Sequence, residues 1–280
     1  MKLLIETSNK NDIDLDCDGI ILPLKDYSVE SITYYTLDEI EVISKKTNKE
    51  IFIKINKNLM NKDIPNIKDI LIKLDKIKIS GIFFYDLAIL QLVRELNLSI
   101  NLVWNQTHMV NNYKTCDYYY SKGIKYALLG KEITLEEIQD IIRKSKINCM
   151  VEVVSKPSVA VSYRHLITNY YKDLGKTSTN KLQIKEKVSG LKFDLEEDNN
   201  GTSFFLDTIT NGTSIIKDLY QANCPYIIMR EYGIDNFKEL VADTMKYTSN
   251  KCIDDDYINK YKKLGDSTNF FFKKTIYKVK

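Results

Sequence analysis

Eight short apolar segments recur along the chain, and the stretches between them carry helical signals. The segments are continuously apolar rather than alternating, which is typical of strands in a parallel sheet that is covered on both faces. They are KLLIE (2–6), GIILPL (19–24), EIFIKIN (50–56), GIFFYD (81–86), INLVWN (100–105), YALLGKE (126–132), CMVEVVS (149–155) and YIIMRE (226–231). In a chain of 280 residues, eight strands alternating with helices predict a closed α/β barrel of the (β/α)8 TIM type, which usually needs roughly 250 residues. An open doubly wound sheet is the rival architecture.

Helix boundaries are indicated at three positions. Thr36 precedes acids in a first turn, and Thr134 stands three residues before Glu137, as in a capping box. Asp86 ends a strand and opens an apolar-periodic segment, which favours an N-cap over an acid of the functional site. The link at residues 7–18 is short and polar, so we expect the first crossover to lack a full helix.

One insertion separates the last two predicted strands. Residues 182–208 contain the polar sequence Asn199-Asn200-Gly201 between two strand-like segments, which indicates a β-hairpin. We therefore expect one barrel domain over residues 1–280, with a small antiparallel flap over one end of the barrel and a C-terminal tail at 265–280.

Charge and cysteine usage narrow the classes of function. The chain has 41 Lys and Arg against 38 Asp and Glu, and its lysines are interleaved with acids, so no footprint for nucleic acid stands out. The five cysteines are far apart and form no CxxC pair, as in a reduced cytosolic protein. No segment approaches the roughly 18 apolar residues of a membrane span, and the N-terminal apolar segment is too short for a signal peptide. We expect a cytosolic protein that does not enter a membrane.

Polar residues at the C-terminal ends of the strands are the candidates for function, because barrels of this type carry their sites there. Lys54 and Glu152 lie inside apolar strands, where an unpaired charge is costly. They are expected to pair with each other in a central pocket or in a structural ion pair, unless one of them points outward. The sequence has no HExxH, GxSxG or P-loop motif, so it indicates no known zinc peptidase, α/β-hydrolase or P-loop enzyme.

Four segments, in a fixed order, carry a family resemblance. The first runs from Gly81 to Glu137 and includes Gln106 through Asn111 and the sequence Glu132-Ile133-Thr134-Leu135-Glu136-Glu137-Ile138. The second ends in Ser162-Tyr163-Arg164-His165-Leu166-Ile167-Thr168-Asn169-Tyr170, the third is EEDNNGTSFFLDT (196–208) and the fourth is DSTNFFFKKTIYKVK (266–280). Together they make the chain similar to the collagenase-like peptidase family U32.

The resemblance implies a barrel and, through the family label, a protease that hydrolyses peptides by an undefined mechanism. Under it, the catalytic candidates are Glu152, Lys54 and Glu231, with Glu152 as the acid or base. The candidates for substrate binding are Arg164, Asn169, Arg230 and Gln106, with the arginines binding an anion or a carbonyl group. We expect a peptide or a small molecule as the partner rather than a nucleic acid; the sequence predicts no oligomeric state.

The sequence also departs from the family. Members that bind an iron–sulfur cluster have cysteines where this chain has Ser158 and His165, and the family's Glu-Gly-Arg after the last strand reads Arg230-Glu231-Tyr232 here. Thiolates hold such clusters, so we predict no cluster, no metal and no other cofactor.

Two alternatives to the peptidase stay open. One is a relative of the family's RNA-modification (hydroxylation) branch, which the missing cysteines and the weak charge oppose. The other is a non-catalytic barrel that has lost the cluster site.

Overall fold

The structure is a computed structural model that describes residues 1–77, 79–106, 108–249, 254–265, 267–268 and 270–273. The strands are β1 (Lys2–Glu6), β2 (Gly19–Pro23), β3 (Glu50–Ile55), β4 (Gly81–Phe84), β5 (Leu102–Trp104), β6 (Tyr126–Leu128), β7 (Asn148–Ser155), β8 (Ser158–Ser162), β9 (Lys181–Lys185), β10 (Lys192–Asp198), β11 (Gly201–Leu206), β12 (Thr210–Asn211) and β13 (Tyr226–Arg230). The helices are α1 (Leu37–Lys46), α2 (Ile64–Lys76), α3 (Leu87–Glu95), α4 (Tyr113–Ser121), α5 (Leu135–Lys144), α6 (Leu166–Asp173), α7 (Ile216–Gln221), α8 (Phe237–Ser249) and α9 (Asp255–Tyr261). Across these described ranges, no helix is long and apolar enough to cross a membrane.

Eight parallel strands close into a barrel. Strands β1 to β7 pair in sequence order, β7 pairs with β13, and β13 returns to β1 with Lys2 opposite Tyr226 and Glu6 opposite Arg230. An open sheet has two edge strands, whereas each of these eight strands pairs with a parallel neighbour on both sides, so this pairing confirms the predicted barrel. The short strand β12 adds to β7 in the antiparallel direction.

The helices begin where the sequence indicates. Thr36 and Thr134 each form a capping box with the glutamate three residues later, which is Glu39 in α1 and Glu137 in α5. Asp86 is the N-cap of α3, and its carboxylate accepts the backbone N–H of Ala88 at 2.9 Å. The first crossover holds only a short 3-10 helix, as expected from its polar sequence.

The insertion is a four-stranded antiparallel sheet, larger than the hairpin that the sequence indicates. Its strand order is β8-β11-β10-β9, and α6 packs on it; we call residues 158–206 the lid. The predicted turn connects β10 to β11, and Gly201 there has φ +121°, where a Cβ atom would lie 2.0 Å from the carbonyl oxygen of Ser162. Strand β8 was not predicted, because its serine-rich sequence SVAVS follows β7 after only two residues. The predicted tail at 265–280 lies largely outside the described residues.

Candidate functional site at the barrel mouth

The interior of the barrel changes from apolar to charged towards the C-terminal ends of its strands. Alternate residues of a strand point to the same side. The apolar interior residues are Leu4, Ile21, Phe52, Phe83, Val103, Leu128, Met150, Tyr226 and Ile228. Two positions further along their strands stand Glu6, Lys54, Glu152 and Arg230. Strand periodicity therefore places four charged side chains in one layer at the barrel mouth.

These side chains form a continuous series of ion pairs. Lys54 Nζ lies 3.2 Å from Glu6 Oε1, and Arg230 Nη1 lies 3.3 Å from Glu6 Oε2. Arg230 Nε lies 2.7 Å from Glu152 Oε2, and Lys131 Nζ lies 2.8 Å from Glu152 Oε1. We call these five residues the charged network. Cations and anions alternate along it, so each carboxylate contacts two cations.

The predicted direct pair of Lys54 with Glu152 is wrong. In the closed strand order, β3 and β7 are separated by four steps in either direction, so they stand on opposite sides of the barrel. Glu6 on β1 and Arg230 on β13 lie between them and connect them. Lys54 and Glu152 do belong to one buried network, but they are joined through Glu6 and Arg230 and not directly.

Burial and neighbouring charges set the protonation of the network. Burial favours the neutral form of Glu152, but Arg230 and Lys131 outweigh it and hold the pKa of this carboxyl at about 2. For Glu6, burial is likewise outweighed by Arg230 and Lys54, and its pKa is lowered. Burial and the charge of Arg230 lower the pKa of Lys54 to about 8. A carboxyl group with a pKa of about 2 is poorly matched to proton transfer near neutral pH. The surroundings of Glu152 therefore do not support the acid–base role predicted for it.

The loop after β2 supplies further hydrogen-bond acceptors for the Lys54 ammonium group. The Lys54 ammonium donates to Ser31 Oγ at 2.8 Å and to the carbonyl oxygen of Glu30 at 3.1 Å. Ser31 Oγ in turn donates to Glu6 Oε1 at 2.7 Å. Lys54 is only 1% exposed, and a buried ammonium needs such partners. This loop therefore holds Lys54 and Glu6 in position. Nothing in the sequence around Glu30 and Ser31 predicts this role.

The lid leaves two cavities at the barrel mouth. The cavity above Arg230 has a volume of about 20 Å³, which is room for about one water molecule, and Ser158 and Phe205 of the lid close it. The second cavity has a volume of about 200 Å³. We call it the mouth pocket; it lies between β8 and the ends of β3, β4 and β5. Its walls include Asn56, Tyr85, Asn105 and Tyr163.

Two buried amide side chains contribute hydrogen-bonding groups to the mouth pocket, which Glu30 and His108 also line. Asn105 is 5% exposed, and its Oδ1 has no hydrogen-bond partner among the described residues. A buried oxygen left in this state costs about 1–3 kcal/mol, which a bound donor would recover. Asn56 uses its Oδ1 to accept the backbone N–H of Val29 at 3.0 Å, so its NH2 group remains as a donor. With the rings of Tyr85 and Tyr163, this arrangement suits a flat, uncharged ligand with an N–H and a C=O on one edge.

The other predicted residues lie outside the network. Glu231 accepts the backbone N–H of Ser8 at 2.6 Å and thereby fixes the β1–β2 loop at the rim. Gln106 accepts from Trp104 Nε1 at 3.1 Å and donates to the carbonyl oxygen of Tyr85 at 2.8 Å, which positions one wall of the mouth pocket. Arg164 and Asn169 are exposed on the lid.

Four further members of the site are polar residues that the sequence places at strand ends, but sequence reasoning assigned no role to them. Glu6 and Lys131 belong to the network, and Asn56 and Asn105 belong to the mouth pocket. All of them follow or end an apolar strand segment, which marks them as candidates without saying which ones the fold brings together. The choice of Lys54 and Glu152 rested instead on charges enclosed within apolar segments.

The four described cysteines do not fit an iron–sulfur cluster. Burial raises the pKa of Cys17 and Cys149 to about 11 and that of Cys116 and Cys224 to about 12, so these thiols stay protonated. Cys224 Sγ does approach the carbonyl oxygen of Cys149, at 3.9 Å, but at the end of the barrel opposite the mouth. Within the described ranges, no group of three or more His, Cys, Asp or Glu side chains could hold a metal ion. Cys252 lies outside those ranges.

Ser158 and His165, which the family resemblance sets at positions of cluster cysteines, each lie close to a glutamate. Ser158 Oγ donates to Glu30 Oε1 at 2.9 Å and so ties the first strand of the lid to the barrel rim. His165 is exposed, and its Nδ1 lies 3.9 Å from Glu197 Oε1.

Fold and site together define a (β/α)8 barrel whose mouth holds a buried charged network beneath an antiparallel lid. The chain belongs to peptidase family U32, whose sequence profile matches residues 27–228. The tRNA hydroxylation protein P2 of Bacillus subtilis (strain 168) is 26% identical over 149 residues, which are 53% of this chain and 48% of that protein. An uncharacterized protease of Methanocaldococcus jannaschii is 27% identical over 173 residues, which are 59% of this chain and 42% of that protein. The chain thus spans about half the length of the curated relatives it matches.

Solved structures with a similar shape are barrels with low sequence identity. Thiamine phosphate pyrophosphorylase from Pyrococcus furiosus has a TM-score of 0.47 at 11% identity, with 89% of this chain and 96% of that chain covered. For 3-hexulose-6-phosphate synthase the TM-score is 0.47 at 10% identity, with 90% and 100% covered. Neither similarity bears on activity.

Proposed function

We propose that this chain takes part in the hydroxylation of RNA by binding the nucleotide that is modified. The mouth pocket is the observation that carries the proposal. Proteins that act on a nucleobase hold it out of the stack by hydrogen bonds to its polar edge and by contacts with aromatic rings. Asn105 Oδ1 would accept an N–H of the base, the NH2 group of Asn56 would donate to a ring carbonyl, and the rings of Tyr85 and Tyr163 would flank it. The similarity to a tRNA hydroxylation protein supports this choice.

In this proposal the charged network holds the site in shape. Glu30 lines both cavities, its carbonyl oxygen accepts from Lys54 and its carboxylate holds Ser158 of the lid. A nucleotide in the mouth pocket would therefore contact a loop whose position the network fixes. The network supplies a rigid, ionised floor, because its carboxylates stay charged at neutral pH.

Peptide hydrolysis, which the family label suggests, has weaker support. It requires an activated nucleophile or a base with a pKa near the working pH. The described cysteines are buried thiols with raised pKa values, and Glu152 is held at a pKa of about 2. A non-catalytic barrel would bind the same ligand in the mouth pocket without changing it.

The test is to delete the coding sequence in the source organism and measure hydroxylated nucleosides in total tRNA by mass spectrometry. We expect the deletion to lower their level and the wild-type chain to restore it. Asn105→Ala should restore it about tenfold less well, because it removes one hydrogen bond to the base. The matched control is Asn101→Ala, at the other end of the same barrel strand, where the side chain donates only to the carbonyl oxygen of Ser80 at 3.1 Å.

Two results would contradict the proposal. One is an unchanged level of hydroxylated nucleosides in the deletion strain, and the other is full restoration by Asn105→Ala. Cleavage of a peptide panel by the purified wild-type protein, abolished by Glu152→Gln, would favour the peptidase instead.

A further inference from the structure

The lid separates its charges, with acids turned inward and cations outward. Asp194 pairs with Lys156, which precedes the lid, and Glu196 accepts from the Tyr232 hydroxyl at 2.7 Å. The exposed cations of the lid are Arg164, Lys172, Lys176, Lys181, Lys185, Lys187 and Lys192, whereas its exposed acids are Asp173 and Glu186. The balanced charge of the sequence therefore becomes a positively charged outer surface once the lid folds.

Three lysines converge at the tip of the hairpin formed by β9 and β10. The register places Lys185 directly opposite Lys192, and Lys187 lies in the turn between them. We call these three residues the basic tip. Side chains directly opposite each other on antiparallel strands share one face about 5 Å apart, and like charges there are destabilising. The charges of the basic tip therefore do not stabilise the hairpin.

The acids nearest the basic tip are engaged elsewhere. The Glu186 carboxylate accepts the backbone N–H groups of Val188 and Ser189, at 2.8 and 2.5 Å. Asp207, which follows β11 beside Lys192, lies 3.9 Å from Lys156 through its Oδ1. Within the described chain, the three lysines of the basic tip form no ion pair. Their charge is thus free for an external anion.

We propose that the basic tip docks the phosphate backbone of the RNA whose nucleotide enters the mouth pocket. This inference rests on the proposed function. Charge complementarity selects the partner, since three flexible ammonium groups that pair with no described carboxylate suit a row of phosphates. The tip and the mouth pocket belong to one rigid sheet, because β9 and β10 pair through β11 with β8, which lines the pocket. Docking at the tip would therefore orient the strand that supplies the base.

The test measures binding of the full-length protein to a labelled tRNA transcript at several salt concentrations. The variant Lys185→Gln/Lys187→Gln/Lys192→Gln removes the basic tip. The control Lys46→Gln/Lys73→Gln/Lys76→Gln removes the same charge from exposed positions on α1 and α2. We expect the tip variant to bind at least about tenfold more weakly. Its plot of log affinity against log salt should be shallower by about 2, since each lost phosphate contact lowers the slope by about 0.7–0.9.

The docking proposal is overturned if the tip variant keeps the wild-type affinity and slope, or if the control variant loses as much. Folding is checked by urea unfolding, where the tip variant should be at least as stable as the wild type because a repulsion is removed.

The outcomes distinguish failure of the docking proposal from failure of the proposed function. Loss of binding in the tip variant, with no change of tRNA hydroxylation in the deletion strain, would remove the proposed function and keep an RNA-binding tip. A tip variant that binds RNA and restores hydroxylation fully would remove the docking site alone.

Discussion

Arg230 is the residue that joins the two halves of the barrel mouth. Its guanidinium contacts Glu6 on one side and Glu152 on the other, and those carboxylates raise its pKa further although burial acts to lower it. A planar cation with several donors can bridge two carboxylates in this way, whereas an ammonium group would act as a single point charge. The network is therefore sensitive to the loss of any one member.

Removal of the Glu152 charge should destabilise the fold strongly. Glu152→Gln removes the carboxylate that lies between Arg230 and Lys131, and breaking a buried ion pair in this way costs about 3–5 kcal/mol. Urea unfolding followed by circular dichroism should show a clearly lower midpoint. Glu41→Gln is the matched control, because Glu41 is a half-exposed partner of Lys45 on α1 and such pairs contribute about 0–1 kcal/mol. Equal midpoints for the two variants would refute the energetic role of the network.

The same carboxylate predicts a dependence of stability on pH. The pKa of Glu152 falls from 4.5 to about 2 on folding, so between these values the unfolded chain binds more protons than the folded chain. Its contribution of about 3 kcal/mol is fully present above about pH 4.5 and is lost as the pH falls towards 2. We expect the difference in unfolding free energy between the wild type and Glu152→Gln to shrink as the pH is lowered from 5 to 3. A constant difference would contradict the lowered pKa.

At the scale of elements, the lid depends on one carboxylate that starts a helix. Glu197 on β10 accepts the backbone N–H groups of Ile167 and Thr168, at 2.8 and 3.1 Å, in the first turn of α6. Burial acts to raise the pKa of Glu197, but hydrogen bonds from the Thr168 and Thr202 hydroxyls and from these two backbone N–H groups outweigh it and lower the pKa. A negative charge at this end of a helix also offsets the helix dipole. The second family motif, which spans this turn, therefore has a structural role in the lid.

We expect Glu197→Ala to loosen α6. The loss of a charged cap costs about 1–2 kcal/mol, so amide hydrogen exchange over Leu166–Asp173 should quicken about tenfold. Asp173→Ala is the control on the same helix, because an acid near the C-terminal end opposes the dipole and its removal should not quicken exchange. Equal exchange rates in the two variants would show that Glu197 does not hold the helix.

At the scale of the whole molecule, polar contacts tie the lid to three loops of the barrel. Asn200 Nδ2 donates to the carbonyl oxygen of Ser28 at 2.9 Å, and the backbone N–H of Asn58 donates to the Tyr163 hydroxyl at 3.0 Å. On the far side, the Tyr232 hydroxyl donates to Glu196. With the lid in this position, the cavity above the network holds about 20 Å³. A larger ligand reaches the network only if these contacts open.

The variant Tyr163→Phe/Tyr232→Phe should therefore raise the rate of lid opening. Each lost hydroxyl contact is worth about 1 kcal/mol, so hydrogen exchange over residues 158–206 should quicken about tenfold or more while exchange in the barrel strands stays unchanged. Tyr170→Phe is the control, since Tyr170 is exposed on α6. If both variants exchange alike, the lid is held by contacts other than these hydroxyl groups.

The sequence by itself predicted the barrel with an open sheet as its rival, because continuous apolar strands between amphipathic helices can bury both faces of a sheet only in a few architectures. It also marked Lys54 and Glu152, since a charge inside an apolar strand requires a partner. Only the tertiary structure decided which residues pair with these two charges. The closure of β13 onto β1 brings Glu6 and Arg230 between β3 and β7, which stand on opposite sides of the barrel. It likewise decided the surface charge of the lid, since folding engages Asp194, Glu196 and Glu197 in internal contacts and leaves the lysines of the basic tip outside.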